Sequence, residues 1–138
     1  MLTTPITTKA VEFIIKKHAG QFDKQGMPYI IHPIEVASNF DTEEEIVVAL
    51  LHDTLEDTDT TYDELVSTFG ESIAKNVKIL TRKSDETYKD YIRRVSKEKI
   101  PKRVKIADLY NNTDEKRGPI PDSLKQRYKK AIKYLTNN

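Results

Sequence analysis

Apolar residues recur along this chain at helical rather than strand spacing. Val11, Ile14, Ile15 and His18 share one face of a helix predicted from about Thr8 to Ala19, with Gly20 placed to cap its end. Gln21 to Ile31 reads as a loop, punctuated by Gly26 and Pro28. Pro33 suits a first helical position, so a short helix should run to about Asn39, with His32 at its N-cap or just before it. Asp41 or Thr42 should start a central helix, and Thr42 with Glu45 has the capping-box spacing. Ile46 to Leu51 is apolar all round, so this helix belongs inside a bundle. Asp57-Thr58-Asp59-Thr60 should end it.

Further helices follow. Thr61, with Glu64 three residues on, should cap a short helix through Phe69 that stops at Gly70; another, about Glu71 to Arg82, should bury Ile73, Val77 and Ile79 or Leu80. After a charged connection, Tyr88, Tyr91, Ile92 and Val95 mark a helix from Glu86 to about Lys97. Pro101 opens one from Lys102 to about Thr113, carrying Val104, Ile106 and Leu109. Gly118-Pro119-Ile120-Pro121 is a linker before a last helix, about 122–136. The fold class is all-α, and 138 residues suit one domain with one core.

Charge narrows the partners. Twenty-three basic and 22 acidic residues leave a net charge of +1, so no general field attracts nucleic acid or an anionic membrane. The basic run Lys125, Arg127, Lys129, Lys130 and Lys133 reads as the solvated face of the last helix. There is no cysteine, which excludes disulfides, thiolate metal sites and a cysteine nucleophile. No apolar run approaches the roughly 18 residues of a membrane span, and no secretory leader pattern is visible, so the expected compartment is the cytoplasm.

The polar exceptions carry the chemistry. His52-Asp53-Thr54-Leu55-Glu56-Asp57 follows the most apolar segment of the chain. If the helix continues, His52 stacks over Glu56 and Asp53 over Asp57, because residues four apart share a face. Three carboxylates around one imidazole repel one another unless a cation lies between them. The competing reading is a solvated acidic helix end, which the helix dipole disfavours. Asp108 is a second exception, beside Ile106, Ala107 and Leu109, with Asn112 one turn on. His18 reads as a core histidine, His32 alone as a turn histidine, and Lys24 alone as a solvated loop lysine. Together His32, His52, Asp53 and Asp108 would suit a borderline or hard divalent ion such as Mn²⁺, Fe²⁺, Mg²⁺ or Zn²⁺.

The order of three blocks adds a resemblance. They are Gly20-Gln21 with Gly26-x-Pro28-Tyr29-Ile30-x-His32-Pro33, then Ala49-Leu50-Leu51-His52-Asp53-x-x-Glu56-Asp57-Thr58, then Val104-Lys105-Ile106-Ala107-Asp108. In that order they resemble the HD-superfamily hydrolase domain of the RelA/SpoT alarmone enzymes, and most closely the small single-domain alarmone hydrolases. The resemblance spans about residues 13–114. It implies one HD-type helical domain over residues 1–138, with its core at about 8–114. It implies a metal, Mn²⁺ in most of the family, held by His32, His52, Asp53 and Asp108. Glu56 and Asp57 match the acidic pair that handles the attacking water, and Lys24 and Asn112 match nucleotide-binding positions. The implied substrate is a small nucleotide, foremost guanosine 3′,5′-bis(diphosphate), with loss of its 3′-pyrophosphate. One position departs: an arginine that packs on guanine usually precedes the lysine, and here it is Asp23. That departure favours a nucleotide phosphatase with another substrate as the second reading. A non-catalytic nucleotide-binding module is the third.

Overall fold

The computed structural model describes residues 1–138 and contains nine α-helices, one 3₁₀ turn and no strand. The helices are α1 (Pro5–Lys17), α2 (Ile31–Ala37), α3 (Glu43–Leu51), α4 (Thr54–Asp57), α5 (Tyr62–Phe69), α6 (Glu71–Ile79), α7 (Tyr88–Val95), α8 (Lys99–Asn112) and α9 (Asp122–Asn137). The all-α expectation holds, and no helix is long and apolar enough to cross a membrane.

The bundle is built around α3. Thr42 Oγ1 accepts from the Glu45 N–H, so the expected N-cap is present. Ile46 to Leu51 is fully buried, and α1, α2, α6 and α8 pack around it. Burial of six consecutive apolar side chains is the main hydrophobic gain available to this fold.

Several boundaries differ from the sequence expectation, each for a local reason. Helix α1 starts three residues early because Thr4 forms a reciprocal capping box with Thr7 and Pro5 takes the first turn. Its buried face is Thr7, Ala10 and Ile14, so Ile15 points outward, 51% exposed. Helix α2 begins at Ile31, which places His32 inside its first turn rather than at the cap. Helix α6 stops at Ile79, short of Arg82; it buries Ile73, Ala74 and Val77, with Leu80 buried just past its end. Helix α7 begins only at Tyr88, because Thr87 caps it through Asp90 N–H. Glu86 instead reaches back to Arg94, at 2.8 and 2.9 Å. Helix α8 starts at Lys99, with Pro101 still in the first turn, where it removes no helical bond. A 3₁₀ turn, Glu115–Arg117, precedes the expected linker.

The most consequential difference is at the end of α3. The helix does not run on through the acidic stretch; it stops at Leu51 and α4 restarts at Thr54. Side chains take over the last carbonyls there: His52 Nδ1 donates to Ala49 O at 2.6 Å and Thr54 Oγ1 to Leu51 O at 2.8 Å. Asp53 O still accepts from Asp57 N–H, so the one-turn spacing of those acids survives the break.

Thr54 is fully buried. Thr54→Val keeps its shape and removes the bond to Leu51. We expect a loss of about 1–2 kcal/mol in stability, read as a lower denaturant midpoint by circular dichroism. An unchanged midpoint would contradict a helix ended by this hydroxyl.

Candidate active site

Three parts of the fold bring the polar exceptions together. Helix α2 contributes His32, the α3–α4 junction His52 and Asp53, and α8 Asp108. Candidate ligand atoms of His32, His52 and Asp53 lie within 4.8 Å of one another. Asp108 Oδ1 adjoins them, 2.8 Å from His32 Nε2 and 3.3 Å from His52 Nε2. Asp53 Oδ2 is 3.1 Å from His52 Nε2 and 3.7 Å from His32 Nε2. His32, His52 and Asp108 are each only 3% exposed, so Asp108 is not the surface acid that its helix position alone allowed.

The histidine tautomers matter. The Nδ1–H of His52 is directed at the Ala49 carbonyl, so Nε2 faces the cluster; it is buried and has no hydrogen-bond partner. His32 Nδ1 lies 2.6 Å from Asn111 Oδ1 and 2.9 Å from Arg117 Nη1. Asn111 Oδ1 can only accept and arginine can only donate. Donation to Asn111 turns the His32 Nε2 lone pair toward the cluster, whereas acceptance from Arg117 leaves an Nε2–H facing Asp108. An unpartnered buried imidazole nitrogen, a second imidazole and two carboxylates form a donor set that fits a divalent cation.

Electrostatics without a metal show how strained this set is. Burial works against a charged His52, but Asp53 and Asp108 outweigh it and hold the imidazole well above its ordinary value. Burial also opposes ionisation of Asp53, yet His52 prevails and lowers its carboxyl to about 2. Against the same burial, Lys105 and His52 hold Asp108 well below the usual carboxylate range. Tyr29 Oη donates to Asp53 Oδ2 at 2.5 Å, Lys105 Nζ to Asp108 Oδ2 at 2.8 Å, and Asn112 Nδ2 to Asp108 Oδ1 at 3.1 Å.

Glu56 and Asp57 stand at the rim of the cluster, open to solvent on one side. Glu56 Oε1 accepts from the Arg82 N–H at 2.8 Å, which ties it to the segment after α6. Desolvation raises both carboxyls, and the charge of Asp53 adds to the rise in each. Lys24 and Asn112 line a cavity of about 270 Å³ together with Asp23, Tyr29 and Arg117. Asn112 is also structural: its Oδ1 accepts from Arg117 Nη1 at 2.7 Å while its amide holds Asp108.

His18 is buried at the end of α1, with Nδ1 2.8 Å from Gln21 Oε1, in line with its reading as a core histidine. The basic face of α9 is solvated at Lys125, Lys129, Lys130 and Lys133, while Arg127 departs from it and stacks 3.8 Å over Tyr88. Sequence reasoning missed Tyr29, Lys105, Asn111 and Arg117. Lys105 was accessible as an i,i+3 partner of Asp108 on one helix. Arg117 was not, because only the 3₁₀ turn carries it back over His32.

Fold and site together define a class: an all-α protein with a His/Asp cluster gathered at the break between two helices. The HD domain family model matches residues 10–106, and the chain belongs to that family. It is 49% identical over 85 residues to the Aquifex aeolicus protein named guanosine-3′,5′-bis(diphosphate) 3′-pyrophosphohydrolase, covering 59% of this chain and 12% of that one. It is 43% identical over 122 residues to the Homo sapiens protein named guanosine-3′,5′-bis(diphosphate) 3′-pyrophosphohydrolase MESH1, covering 77% of this chain and 67% of that protein. The chain thus spans only a small part of the first of these relatives. Its fold is similar to a solved structure described as a metazoan ortholog of SpoT that hydrolyses ppGpp. The TM-score is 0.81 at 24% identity, covering 98% of this chain and 88% of the other.

Lys105 tests the charge balance. It supplies the largest attraction acting on Asp108. In chelator-treated protein, Lys105→Met should cost roughly 3 kcal/mol at pH 7. A carboxylate lowered in the folded state adds stability above its unfolded value of about 3.9 and loses it as pH falls further. The gap between wild type and variant should therefore persist at neutral pH and narrow below about pH 4. Denaturant unfolding across pH reads it, and a gap that widens in acid would contradict it.

Proposed function

We propose that the protein is a divalent-metal-dependent phosphohydrolase of a small nucleotide, with guanosine 3′,5′-bis(diphosphate) as substrate, from which it releases the 3′-pyrophosphate. The observation that carries this reading is the His32, His52, Asp53 and Asp108 cluster, with an acidic pair at its rim and a cationic cavity beside it. The names borne by the Aquifex and human relatives support the substrate. The four cluster residues are the proposed ligands, and Mn²⁺ the proposed ion. The two carboxylates suit a hard ion such as Mn²⁺, with the two imidazoles completing the donor set. When bound, the ion supplies Lewis acidity at a phosphoryl oxygen.

The remaining roles fall to the chain. Glu56, its carboxyl raised from the ordinary value, takes the proton from the attacking water, which adds to the phosphorus on the ribose 3′-oxygen; that P–O bond breaks, and the 3′-oxygen of GDP leaves and takes up a proton. Asp57 orients that water beside it. Lys24 offsets phosphate charge, and Asn112 holds Asp108 while presenting its amide at the nucleotide side. Tyr29 and Lys105 fix the two carboxylates, so their geometry is set before substrate arrives. The balanced charge of the chain makes nucleic acid a poor substrate, and the expected compartment is the cytoplasm. A second reading keeps the chemistry and changes the nucleotide. It is favoured by Asp23, which places an acid in the cavity wall.

A product assay tests the proposal. The protein is incubated with Mn²⁺ and guanosine 3′,5′-bis(diphosphate), and products are separated by ion exchange. We expect pyrophosphate and GDP, abolished with metal content in Asp53→Ala. We expect them slowed on the order of 10²- to 10⁴-fold in Glu56→Gln with its metal retained. No pyrophosphate from metal-loaded wild type would overturn the substrate. Full metal content in Asp53→Ala would overturn the ligand assignment.

A further inference from the structure

Phe22 is the most exposed of the large apolar side chains in this protein, at 65%. It is not on a loose loop. Phe22 and Pro28 form an antiparallel bridge, and the backbone on either side is fixed: Gln21 O accepts from Tyr29 N–H, and Asp23 N–H donates to Met27 O at 2.8 Å. Asp23 Oδ1 accepts from the N–H groups of Gln25 and Met27, at 2.8 and 3.0 Å, and closes the turn from inside. Gly26, at φ +80°, supplies the left-handed residue this turn requires. The hairpin is also pinned to the catalytic side, because Gln21 Nε2 donates to Asp57 O at 2.8 Å.

A rigid hairpin that leaves a phenyl ring in water forgoes the gain of burying it. The ring does line the cavity of about 270 Å³ next to the His/Asp cluster. Pro119, Ile120, Leu124 and Tyr128, which are apolar or aromatic, line the same cavity. At the cluster end stand Asn112 and Tyr29, bonded to Asp108 and Asp53, with the cations Lys24 and Arg117 in the same wall. A cavity with apolar and aromatic lining in one part and cations beside the cluster in another suits a nucleotide, with the base on the apolar lining and the phosphates toward the cluster.

We infer that Phe22 is the stacking platform for the nucleobase in this site. This rests on the nucleotide reading above and adds how the base is held. Stacking uses the π-face that every base has, so the platform tolerates different bases. Asp23 serves the turn through Oδ1, and Phe22 beside it presents the flat surface.

The chain contains no tryptophan, so Phe22→Trp introduces a single reporter at the platform. Its emission should be quenched by GDP and unaffected by inorganic pyrophosphate, which has no base. In turnover assays, Phe22→Ala should raise KM about tenfold, the effect of losing one base–aromatic stack. Its kcat and thermal midpoint should hold, and Phe22→Trp should restore KM. Trp emission unmoved by millimolar GDP, or an unchanged KM in Phe22→Ala, would overturn the assignment. If wild type releases no pyrophosphate, the substrate reading fails on its own. GDP quenching then still decides the platform, because it requires no turnover.

Discussion

Two carboxylates, one buried and one partly buried, share one small volume with two buried imidazoles at the end of the most apolar helix in the protein, and the rest of the structure answers to that. Isolated charges in such a place would be strongly unfavourable. Here each has a partner: Lys105 and Asn112 on Asp108, Tyr29 on Asp53, Ala49 O on His52, Asn111 on His32. The one group left without a hydrogen bond is His52 Nε2, and it points into the cluster. A cation there would relieve the carboxylates and occupy that nitrogen at once.

The fold serves this arrangement through its interruptions. Helix α3 anchors the bundle through its apolar run, then is stopped by its own side chains so that His52 and Asp53 turn inward together. Helices α2 and α8 lie against it and deliver His32 and Asp108 from opposite ends of the sequence. The hairpin before α2 and the turn after α8 then close over the cluster, bringing Lys24, Phe22 and Arg117 to one cavity. The cluster is thus held by helices and by the break between two of them, while irregular segments supply much of the adjoining cavity.

Much of this was legible in the residues. Helical periodicity placed nearly every helix, and the Thr42 and Thr61 caps fell where their spacing put them. The oddity of acids after Ile46–Leu51 pointed to the cluster, and the three motif blocks contain His32, His52, Asp53 and Asp108, which the fold brings together. What stayed hidden has two physical sources. Helix ends depend on local capping by single side chains, as at Thr4 and Thr87, which periodicity does not weigh. Long-range contacts depend on the finished packing: Arg117 reaches His32 across 85 residues, and Tyr29 reaches Asp53 across 24. The break at His52–Asp53 was masked because the i,i+4 pattern reads the same through a continuous helix.

The measurement that bears most directly on the centre is anomalous diffraction from crystals equilibrated with Mn²⁺. The account predicts a single strong peak about 2.0–2.3 Å from His32 Nε2, His52 Nε2 and an oxygen each of Asp53 and Asp108. Mn²⁺ bound elsewhere, or a cluster that stays ion-paired at saturating metal, would contradict it.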